Sequence, residues 1–326
     1  MIHVGIIGCE GYAVGELVSL LINHPDAVLE RVYAPERTGL KVSDLHPGLF
    51  GERPIDFTAE ERFDDLDVLF LCVPSGEARK FLQTHKLPET LKIIDFTGDH
   101  RQWGQNSDMD FVYGLSECYR RKICHAQRVS VPGCFAVSIE LALLPLAKHL
   151  LLNHDIHICS VSGRTETVAR PKQISHVTYD LFFDNFSVYK PFGHPQVEEV
   201  TQVLTDVQKS FKNKLYFVPM RGNFNRGIYT TLYLPCSVKL DTLYELYQDY
   251  YSDHAFVHLV NHYPDVRDTV NTNHALLHLS QHEEQLMVVC TLDNLMKGAA
   301  GTAVHLMNLM MGLVENTGLK IKSSAY

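Results

Sequence analysis

Cys134 stands where a cysteine can act as a nucleophile. The segment Val131-Pro132-Gly133 is an extended residue followed by a rigid turn, and the apolar residues 137–150 have the length and spacing of a helix. The spacing therefore predicts Cys134 at the N-terminus of a helix. There the helix dipole and the unpaired backbone N–H groups favour the thiolate, which is the reactive form of cysteine in covalent catalysis.

A glycine cluster near the start of the sequence has the spacing of a phosphate-binding turn. Gly5, Gly8 and Gly11 follow the strand-like residues 2–7 and precede an amphipathic stretch that reaches Ile22. Glycines in such a strand–turn–helix unit let the backbone approach a pyrophosphate, and the helix N-terminus offers free N–H groups to it. The pattern favours a dinucleotide site, although a tight turn without a ligand has the same spacing.

The elements that must position these residues change in type along the chain. In the first half, strand-like runs alternate with helical segments, which is typical of a parallel, doubly wound sheet. These runs are residues 28–33, 68–73 and 92–96, with a helical segment at 77–83. From about residue 150, strand candidates of alternating polarity lie at 156–162, 215–218, 228–234 and 286–292. The sequence predicts an α/β fold with a Rossmann-type parallel sheet domain plus a second α+β domain with a mixed or antiparallel sheet.

The length of the chain predicts two domains. It has 326 residues, whereas a typical domain has roughly 100–200. We expect a dinucleotide-binding domain over residues 1–147, completed by a C-terminal helix within residues 294–326, and a catalytic, substrate-binding and dimerisation domain over residues 148–293. Residues 293–315 are predicted to form one long helix that returns to the first domain.

The composition excludes several other classes of protein. The net charge is −9 and the longest cationic cluster is Arg120-Arg121-Lys122, so nothing predicts nucleic-acid binding. No apolar run reaches roughly 18 residues and the N-terminus resembles no secretory leader, so we expect a cytoplasmic protein that does not enter a membrane. The eight cysteines form no Cys-x-x-Cys pair, and they predict neither a disulfide framework nor a metal site.

Five short motifs resemble those of the N-acetyl-gamma-glutamyl-phosphate reductases, which are related to the aspartate-semialdehyde dehydrogenases. The motifs are GCEGYAVGEL at residues 8–17, DFTGDHR at 95–101, YGLSE at 113–117, PGCF at 132–135 and DNLMKGAAG at 293–301. The resemblance implies NADPH-dependent reduction of N-acetyl-gamma-glutamyl phosphate to a semialdehyde, through a thioester on Cys134, in arginine biosynthesis. It also implies a small-molecule substrate and a homo-oligomer, either a dimer or a tetramer.

The same resemblance implies a set of site residues. His194 falls on the first histidine of the family's His-Arg-His motif and is implied as the acid–base partner of Cys134, while Gln196 replaces the second histidine. Arg101, Glu117 and Arg226 are implied in substrate binding, because guanidinium groups suit carboxylates and phosphates. The implied cofactor-binding residues are Gly8, Gly11, Tyr12, Ala13, Val14, Arg37, Ser75, Ser162, Gly163 and Asn294.

The sequence departs from the family pattern at three places around the cofactor. Val14 stands where the family has glycine, and since valine adopts a positive φ only at a cost, the loop is expected to take a different path. Residues 162–170 keep only the first dipeptide and the last arginine of a glycine-rich family segment. After the second strand, Arg37 suits the 2′-phosphate of NADP, while Glu36 suits the unmodified ribose of NAD.

Other functions fit part of this pattern. A sister reductase would act on an aspartyl or aminoadipyl phosphate with the same cysteine chemistry. A cysteine hydrolase or acyltransferase would share the Cys–His pair but would need no dinucleotide loop. A cofactor sensor without catalysis would retain the loop alone, and the intact Cys134 and His194 argue against it.

Overall fold

The computed structural model describes residues 1–103, 110–166 and 184–324, and these form two compact units. The first unit contains residues 1–103, 110–132 and 299–320. The second unit contains residues 133–166, 184–298 and 321–324. Within this described part, no helix is both long enough and apolar enough to cross a membrane.

The first unit is built on a parallel sheet. As far as the chain is described, its strands are β1 (Ile2–Ile7), β2 (Ala27–Tyr33), β3 (Phe57–Thr58), β4 (Val68–Leu71), β5 (Lys92–Asp95), β6 (Val112–Tyr113) and β7 (Arg128–Ser130). Their order is β3-β2-β1-β4-β5-β7-β6, and every neighbouring pair is parallel. The chain leaves β1 towards β2 and β3 and returns on its other side at β4. Ligands bind such sheets beyond the carboxyl end of the strands at this switch point, and the predicted Rossmann-type sheet is confirmed.

Helices occur in both units, and the last one described packs in the first unit. Among the described residues they are α1 (Tyr12–Ile22), α2 (Val42–Leu45), α3 (Glu77–Thr84), α4 (Ser116–His125), α5 (Cys134–Lys148), α6 (Gln196–Val207), α7 (Leu240–Tyr251) and α8 (Gly301–Met310). Helix α8, the last in the chain, packs against α1, α4 and β5 of the first unit. Its Asn308 Oδ1 lies 3.0 Å from His24 Nε2, and its His305 Nε2 lies 2.9 Å from Glu315 Oε2.

The second unit contains a mixed sheet, as predicted. In the described part its strands are β8 (Ile156–Ser162), β9 (Ser187–Val188), β10 (Leu215–Arg221), β11 (Ile228–Pro235), β12 (Val257–Leu259), β13 (Ala275–His282) and β14 (Gln285–Leu292). The order is β12-β13-β14-β11-β8-β10-β9, with β8/β10 and β12/β13 parallel and the other pairs antiparallel. Buried residues alternate with more exposed ones along β8 and β11, so one face of the sheet covers the core and the other is open.

Helix α5 belongs to the second unit. It packs on β11 and β14 and against α6 and α7, and its residues from Phe135 to Ala147 are all buried. A helix that is buried all round has no side facing solvent, and close packing restrains its position. The residue that opens this helix therefore sits on a rigid support.

Two boundaries differ from the sequence-based expectation. The units divide between residues 132 and 133, before α5 and not after residue 147, because the apolar side chains of α5 pack on the second sheet. Residues 293–315 form no single helix: a π-helical turn at Met296–Ala300 precedes α8, which ends at Met310. Gly312 follows with a φ of 71°, a left-handed conformation that ends helices.

Strand β13 was not predicted from the sequence. It pairs with β14 in a hairpin that turns at Glu283-Glu284, and Glu283 has a positive φ of 53°. Two-residue hairpin turns usually carry glycine or asparagine, because these residues adopt positive φ cheaply. The turn signal that identifies a hairpin is therefore absent from this sequence.

Candidate active site

Cys134 is the first residue of α5. Gly133 precedes it in an extended conformation, with φ −69° and ψ 144°, and the Gly133 carbonyl accepts the first helical hydrogen bond from Val137 N–H at 2.9 Å. The cysteine is half-buried and forms no disulfide. Its thiol lies at the positive end of a rigid helix, where a thiolate is stabilised.

Two side chains of α6 hold the first turn of α5. Gln196 Oε1 accepts a hydrogen bond from Ala136 N–H at 2.9 Å, and the Glu199 carboxylate accepts one from Gly133 N–H at 2.9 Å. A Cβ on Gly133 would collide with the side chain of Gln196, so this contact requires glycine. The pair satisfies backbone donors that a helix N-terminus otherwise leaves without protein partners.

The π-helical turn Met296–Ala300 packs directly against Cys134. A Cβ on Gly298 would lie only 2.7 Å from the Cβ of Cys134, so any larger residue would displace the cysteine. The Gly298 N–H donates to the Asp293 carbonyl at 2.8 Å. π-helical turns are rare and are frequent at functional sites, and this one brings the DNLMKGAAG segment to the cysteine.

Asp293 is the hydrogen-bonding centre of that segment. Its Oδ2 accepts from Arg226 Nε at 2.8 Å and from Asn271 N–H at 2.6 Å. Its Oδ1 accepts from the N–H groups of Leu295 and Met296 at 2.8 and 3.0 Å. Because the carboxylate is fully buried, these donors and the guanidinium charge compensate for its loss of water. Arg226, a predicted substrate residue, is thereby fixed in orientation.

His194 is buried and neutral. Its ring packs edge-on against Phe135 and Phe217, at centroid distances of 5.4 and 5.5 Å. Burial, and less strongly the charge of Lys190, lower the pKa of His194 to about 4. Its Nδ1 accepts a hydrogen bond from Gln196 N–H at 3.4 Å, so the proton of the neutral ring is on Nε2. The ring thus offers an N–H donor at neutral pH.

The first turn of α5 contacts the segment that carries His194. His194 contacts Phe135, the residue after Cys134, and Gln196 bonds Ala136, the next residue along. The first turn of α5 therefore carries Cys134, and its next residue, Phe135, packs against the ring of His194.

The glycine-rich turn after β1 has the backbone that a dinucleotide needs. Gly8 and Gly11 have positive φ values of 98° and 96°, and a Cβ on Gly8 would collide with the backbone after β4. Helix α1 then begins at Tyr12 with no acidic residue in its first turn. The N–H groups of Tyr12, Ala13 and Val14 lie at the positive end of this helix, which fits the pyrophosphate of a nicotinamide dinucleotide.

Val14 follows the glycine-rich turn, in the first turn of α1. It is buried inside α1, outside the positive-φ region, so the valine causes no backbone strain. The neighbouring Gly15 has a separate role, because a Cβ there would lie 2.7 Å from Nδ1 of His46. His46 is buried, and its Nε2 lies 2.9 Å from the carbonyl oxygen of Cys9 in the glycine-rich turn. The imidazole of His46 therefore contacts α1 at Gly15 and also holds the glycine-rich turn at Cys9.

The candidate site for a 2′-phosphate follows β2. Arg37 Nη2 lies 3.1 Å from Glu10 Oε1 of the glycine-rich turn, and a third of the arginine side chain is exposed. Cys9 Sγ donates to Glu36 Oε1 at 3.5 Å. Burial, followed by this hydrogen bond, raises the pKa of Cys9 to about 11, so Cys9 is a neutral donor at pH 7. Glu36 is thus held by Cys9, while Arg37 supplies a cation beside the turn.

Arg101 ends a hydrogen-bonded loop that follows β5. Asp95 accepts from the N–H and the hydroxyl of Thr97 at 2.8 and 2.9 Å, and its Oδ2 lies 2.6 Å from Nδ1 of the buried His100. Arg101 Nη2 donates to the carbonyl oxygen of Phe96 at 3.0 Å. The loop therefore fixes the position of the arginine at the carboxyl end of the sheet.

The same loop orders the turn that carries Ser75. Asp99 Oδ1 accepts the Gly76 N–H at 2.6 Å at the start of α3. Gly98 lies close to Ser75, since a Cβ there would be 3.9 Å from the serine hydroxyl. Glu117, the remaining predicted residue of this unit, is buried in the first turn of α4.

The predicted residues of the second sheet also come together. A Cβ on Gly163 would lie 2.5 Å from the backbone nitrogen of Arg226, and Asn294 Oδ1 accepts the Gly227 N–H at 2.7 Å. Ser162 is fully buried, and within the described residues its hydroxyl has no hydrogen-bond partner. Residues 167–170 of the predicted loop lie outside the described residues.

Sequence reasoning missed four residues that the structure places at these sites. Asp293 and Gly298 lie inside a motif that resembles one of the family, and Glu199 closely follows His194. The resemblance therefore pointed to these segments, although not to the three residues themselves. His46 carried no signal, because its contact with the glycine-rich turn depends on the fold. Among the described residues, no cluster of His, Cys, Asp and Glu side chains could hold a metal ion.

Comparison with known protein families defines the class. The family described as "Semialdehyde dehydrogenase, NAD binding domain" matches residues 3–126, and the family described as "Semialdehyde dehydrogenase, dimerisation domain" matches residues 134–294. The fold agrees. Aspartate semialdehyde dehydrogenase II from Vibrio cholerae superposes with a TM-score of 0.72 at 14% identity, covering 96% of this chain and 99% of that chain. The NADP complex of aspartate semialdehyde dehydrogenase from Candida albicans gives 0.65 at 14% identity, covering 97% and 99%.

Curated relatives are much more similar in sequence. The N-acetyl-gamma-glutamyl-phosphate reductase of Phocaeicola vulgatus is 48% identical over 326 residues, and those of Parabacteroides distasonis and Christiangramia forsetii are 45% and 39% identical. Each alignment covers 100% of both chains. The chain belongs to the N-acetyl-gamma-glutamyl-phosphate reductase family.

Proposed function

We propose that this protein reduces N-acetyl-gamma-glutamyl phosphate with NADPH and releases N-acetylglutamate semialdehyde and phosphate, as a step of arginine biosynthesis. The observation that carries the chemistry is Cys134 at the start of the buried helix α5, next to Phe135, whose ring packs against the neutral His194. The acyl group is supported by the names of relatives that are 38–48% identical along the whole chain.

The first step is attack of the Cys134 thiolate on the acyl phosphate. A carbon–sulfur bond forms, the bond from the acyl carbon to the phosphate oxygen breaks, and phosphate leaves with the electron pair. The positive end of α5 stabilises the thiolate beforehand. The resulting thioester is a better hydride acceptor than the highly charged acyl phosphate, so covalent catalysis splits one difficult step into two.

The second step converts the thioester to the aldehyde. NADPH, when bound, supplies the hydride. We assign Nε2–H of His194 as a hydrogen-bond donor to the oxygen that becomes negative at this stage, because the neutral ring carries its proton there. The electron pair of this oxyanion then re-forms the carbonyl double bond, the carbon–sulfur bond breaks, and the aldehyde leaves as the thiolate is restored for the next cycle.

We assign the cofactor to the first unit, with Gly8, Gly11 and the start of α1 on the pyrophosphate and Arg37 on the 2′-phosphate of NADP. The positive φ values and the absence of acid in the first turn of α1 support this assignment. In the second unit we assign Ser162, Gly163 and Asn294 to cofactor binding, supported by the hydroxyl of Ser162, which is buried and has no partner within the described residues.

We further assign Arg101, Glu117 and Arg226 to substrate binding. Arg226 is preoriented by Asp293, and Arg101 by the carbonyl of Phe96, so each guanidinium is positioned before substrate arrives. The substrate carries a carboxylate and a phosphate, both of which suit arginine.

The oligomer that we propose uses the open face of the second sheet. Tyr233 is 42% exposed there, and its ring and that of Tyr216 stack on His157 at centroid distances of 5.3 and 5.1 Å. Exposed aromatic side chains are typical of protein interfaces, and a second copy of the chain is the proposed partner. Such an oligomer would act in the cytoplasm, where its nucleotide cofactor is available.

The proposed activity is tested with purified protein in the reverse direction. NADP reduction should occur with N-acetylglutamate semialdehyde and phosphate, and should require both. Aspartate semialdehyde at the same concentration is the matched comparison. Turnover of aspartate semialdehyde with none of the acetylated substrate would assign the protein to the sister reaction, and loss of the phosphate requirement would contradict the acyl-phosphate chemistry.

A further inference from the structure

Gln196 stands at the place of a family histidine and contacts the helix of the nucleophile. Its amide oxygen accepts the Ala136 N–H at 2.9 Å, two residues after Cys134, and its side chain fills the space above Gly133, one residue before Cys134. The amide thus touches the backbone on both sides of the cysteine. Of the two α6 side chains that bond the first turn of α5, Gln196 is neutral and Glu199 is a carboxylate.

The charge of an acceptor at this position matters for the thiolate. The helix N-terminus attracts negative charge, and a carboxylate bound there competes with the thiolate for that field. A like charge within a few ångströms also opposes ionisation of a thiol. A neutral amide satisfies the backbone donor without either effect.

We propose that Gln196 is a positioning residue for Cys134, which holds the first turn of α5 with a neutral hydrogen-bond acceptor and so adds no second negative charge beside the Glu199 carboxylate. The proposal rests on the proposed function in one respect, namely that Cys134 is the nucleophile. It adds a residue to which the resemblance gave no role.

The geometry supports positioning over simple packing. Gln196 also donates its own backbone N–H to Nδ1 of His194, so one residue orients both the cysteine turn and the imidazole. A side chain that only filled space would not bond a backbone donor of the neighbouring helix. The absence of a Cβ at Gly133 is what allows the amide to come this close.

The test compares Gln196→Glu and Gln196→Ala with the wild type. The first variant keeps the shape and the acceptor but adds a charge, and the second removes the acceptor. Gln202→Glu is the matched control, because it makes the same chemical change on the same helix, six residues or roughly 9 Å further along its axis. The readout is the rate at which iodoacetamide alkylates Cys134 between pH 5 and pH 10, measured by peptide mass spectrometry.

We expect Gln196→Glu to raise the pH midpoint of Cys134 alkylation by about one unit, since a carboxylate close to the thiolate opposes its formation. Gln202→Glu should leave the midpoint unchanged. Gln196→Ala should lower kcat roughly tenfold, because a small displacement of reacting groups slows catalysis, with KM for NADPH unchanged. Melting temperatures identify any variant that fails to fold.

Coincident alkylation profiles of Gln196→Glu and the wild type would overturn the proposal, as would equal midpoint shifts in Gln196→Glu and Gln202→Glu. Retention of full kcat in Gln196→Ala would also overturn it. Alkylation is measured without substrate or cofactor, so the comparison of pH midpoints does not depend on reductase activity. A wild-type protein without reductase activity would count against the proposed function alone.

Discussion

At the scale of single residues, the site depends on how its polar groups are supported. Cys134 has Gly298 against its Cβ, and the segment of Gly298 is held by the buried carboxylate of Asp293. His194 is surrounded by aromatic rings and is neutral at pH 7. Neighbouring residues therefore position Cys134 and keep His194 neutral.

Replacing Cys134 with serine should lower kcat by roughly 10⁴-fold or more, because an alcohol is scarcely ionised at neutral pH. The fold should persist, since the two side chains differ by one atom. When the wild type is incubated with the acyl phosphate and no NADPH, mass spectrometry should detect an acyl adduct on Cys134. An adduct on another cysteine, or an active serine variant, would disprove the mechanism.

His194→Ala should lower kcat by about 10²–10³-fold, the usual cost of removing a hydrogen-bond donor to a developing oxyanion. The acyl-enzyme should still form, because the thiolate is stabilised by α5 and not by the imidazole. Single-turnover experiments should therefore show acylation of Cys134 at a rate that is less affected than hydride transfer. If both steps slow equally, His194 acts on the thiolate and the assignment changes.

At the scale of elements, both functional regions are strand or turn ends followed by a helix. The turn after β1 is built from two glycines with positive φ and is held by His46, which can approach only because residue 15 is glycine. The turn before α5 is held by two side chains of α6. In each case a tertiary contact fixes backbone donors at a helix N-terminus.

Gly15→Ala should weaken NADPH binding, because the new Cβ would meet the His46 ring at 2.7 Å and displace the hydrogen bond to Cys9. We expect Kd to rise by roughly tenfold, about 1.4 kcal/mol. Isothermal titration measures this change. Gly48→Ala is the control, since a Cβ at Gly48 meets open space and its φ lies outside the positive range. Equal affinities for the two variants would show that His46 does not hold the turn.

At the scale of the whole molecule, burial of histidines links stability to pH. His194 and His274 both have pKa values lowered to about 4, in each case mainly by burial. The unfolded chain binds protons near pH 6.5, so it binds more protons than the folded protein between pH 6.5 and pH 4. Stability is therefore full above pH 6.5 and falls as the pH drops through this window.

Lowering the pH from 7 to 5 should cost the folded protein about 2 kcal/mol through His194 alone. His194→Gln removes that titration, so this variant should lose less stability over the same interval than the wild type. Chemical denaturation at the two pH values measures the difference. Parallel losses in the two proteins would mean that His194 is not buried in its neutral form.

The sequence by itself determined the local features of this protein. The alternation of strands and helices predicted the parallel and mixed sheets, and the turn Pro132-Gly133 before an apolar run placed Cys134 at a helix start. These features are encoded by neighbours in sequence, through periodicity and turn chemistry.

Tertiary structure decided which distant residues support these features. The contacts of Gln196 with Ala136, of Gly298 with Cys134 and of His46 with Gly15 join residues that lie from 31 to 164 positions apart. The membership of α5 in the second unit, and the hairpin strand β13, were likewise settled by packing. The physical reason is that burial, close approach of backbones and lowered pKa values depend on atoms from separate segments, and no local pattern in the sequence records which segments will meet.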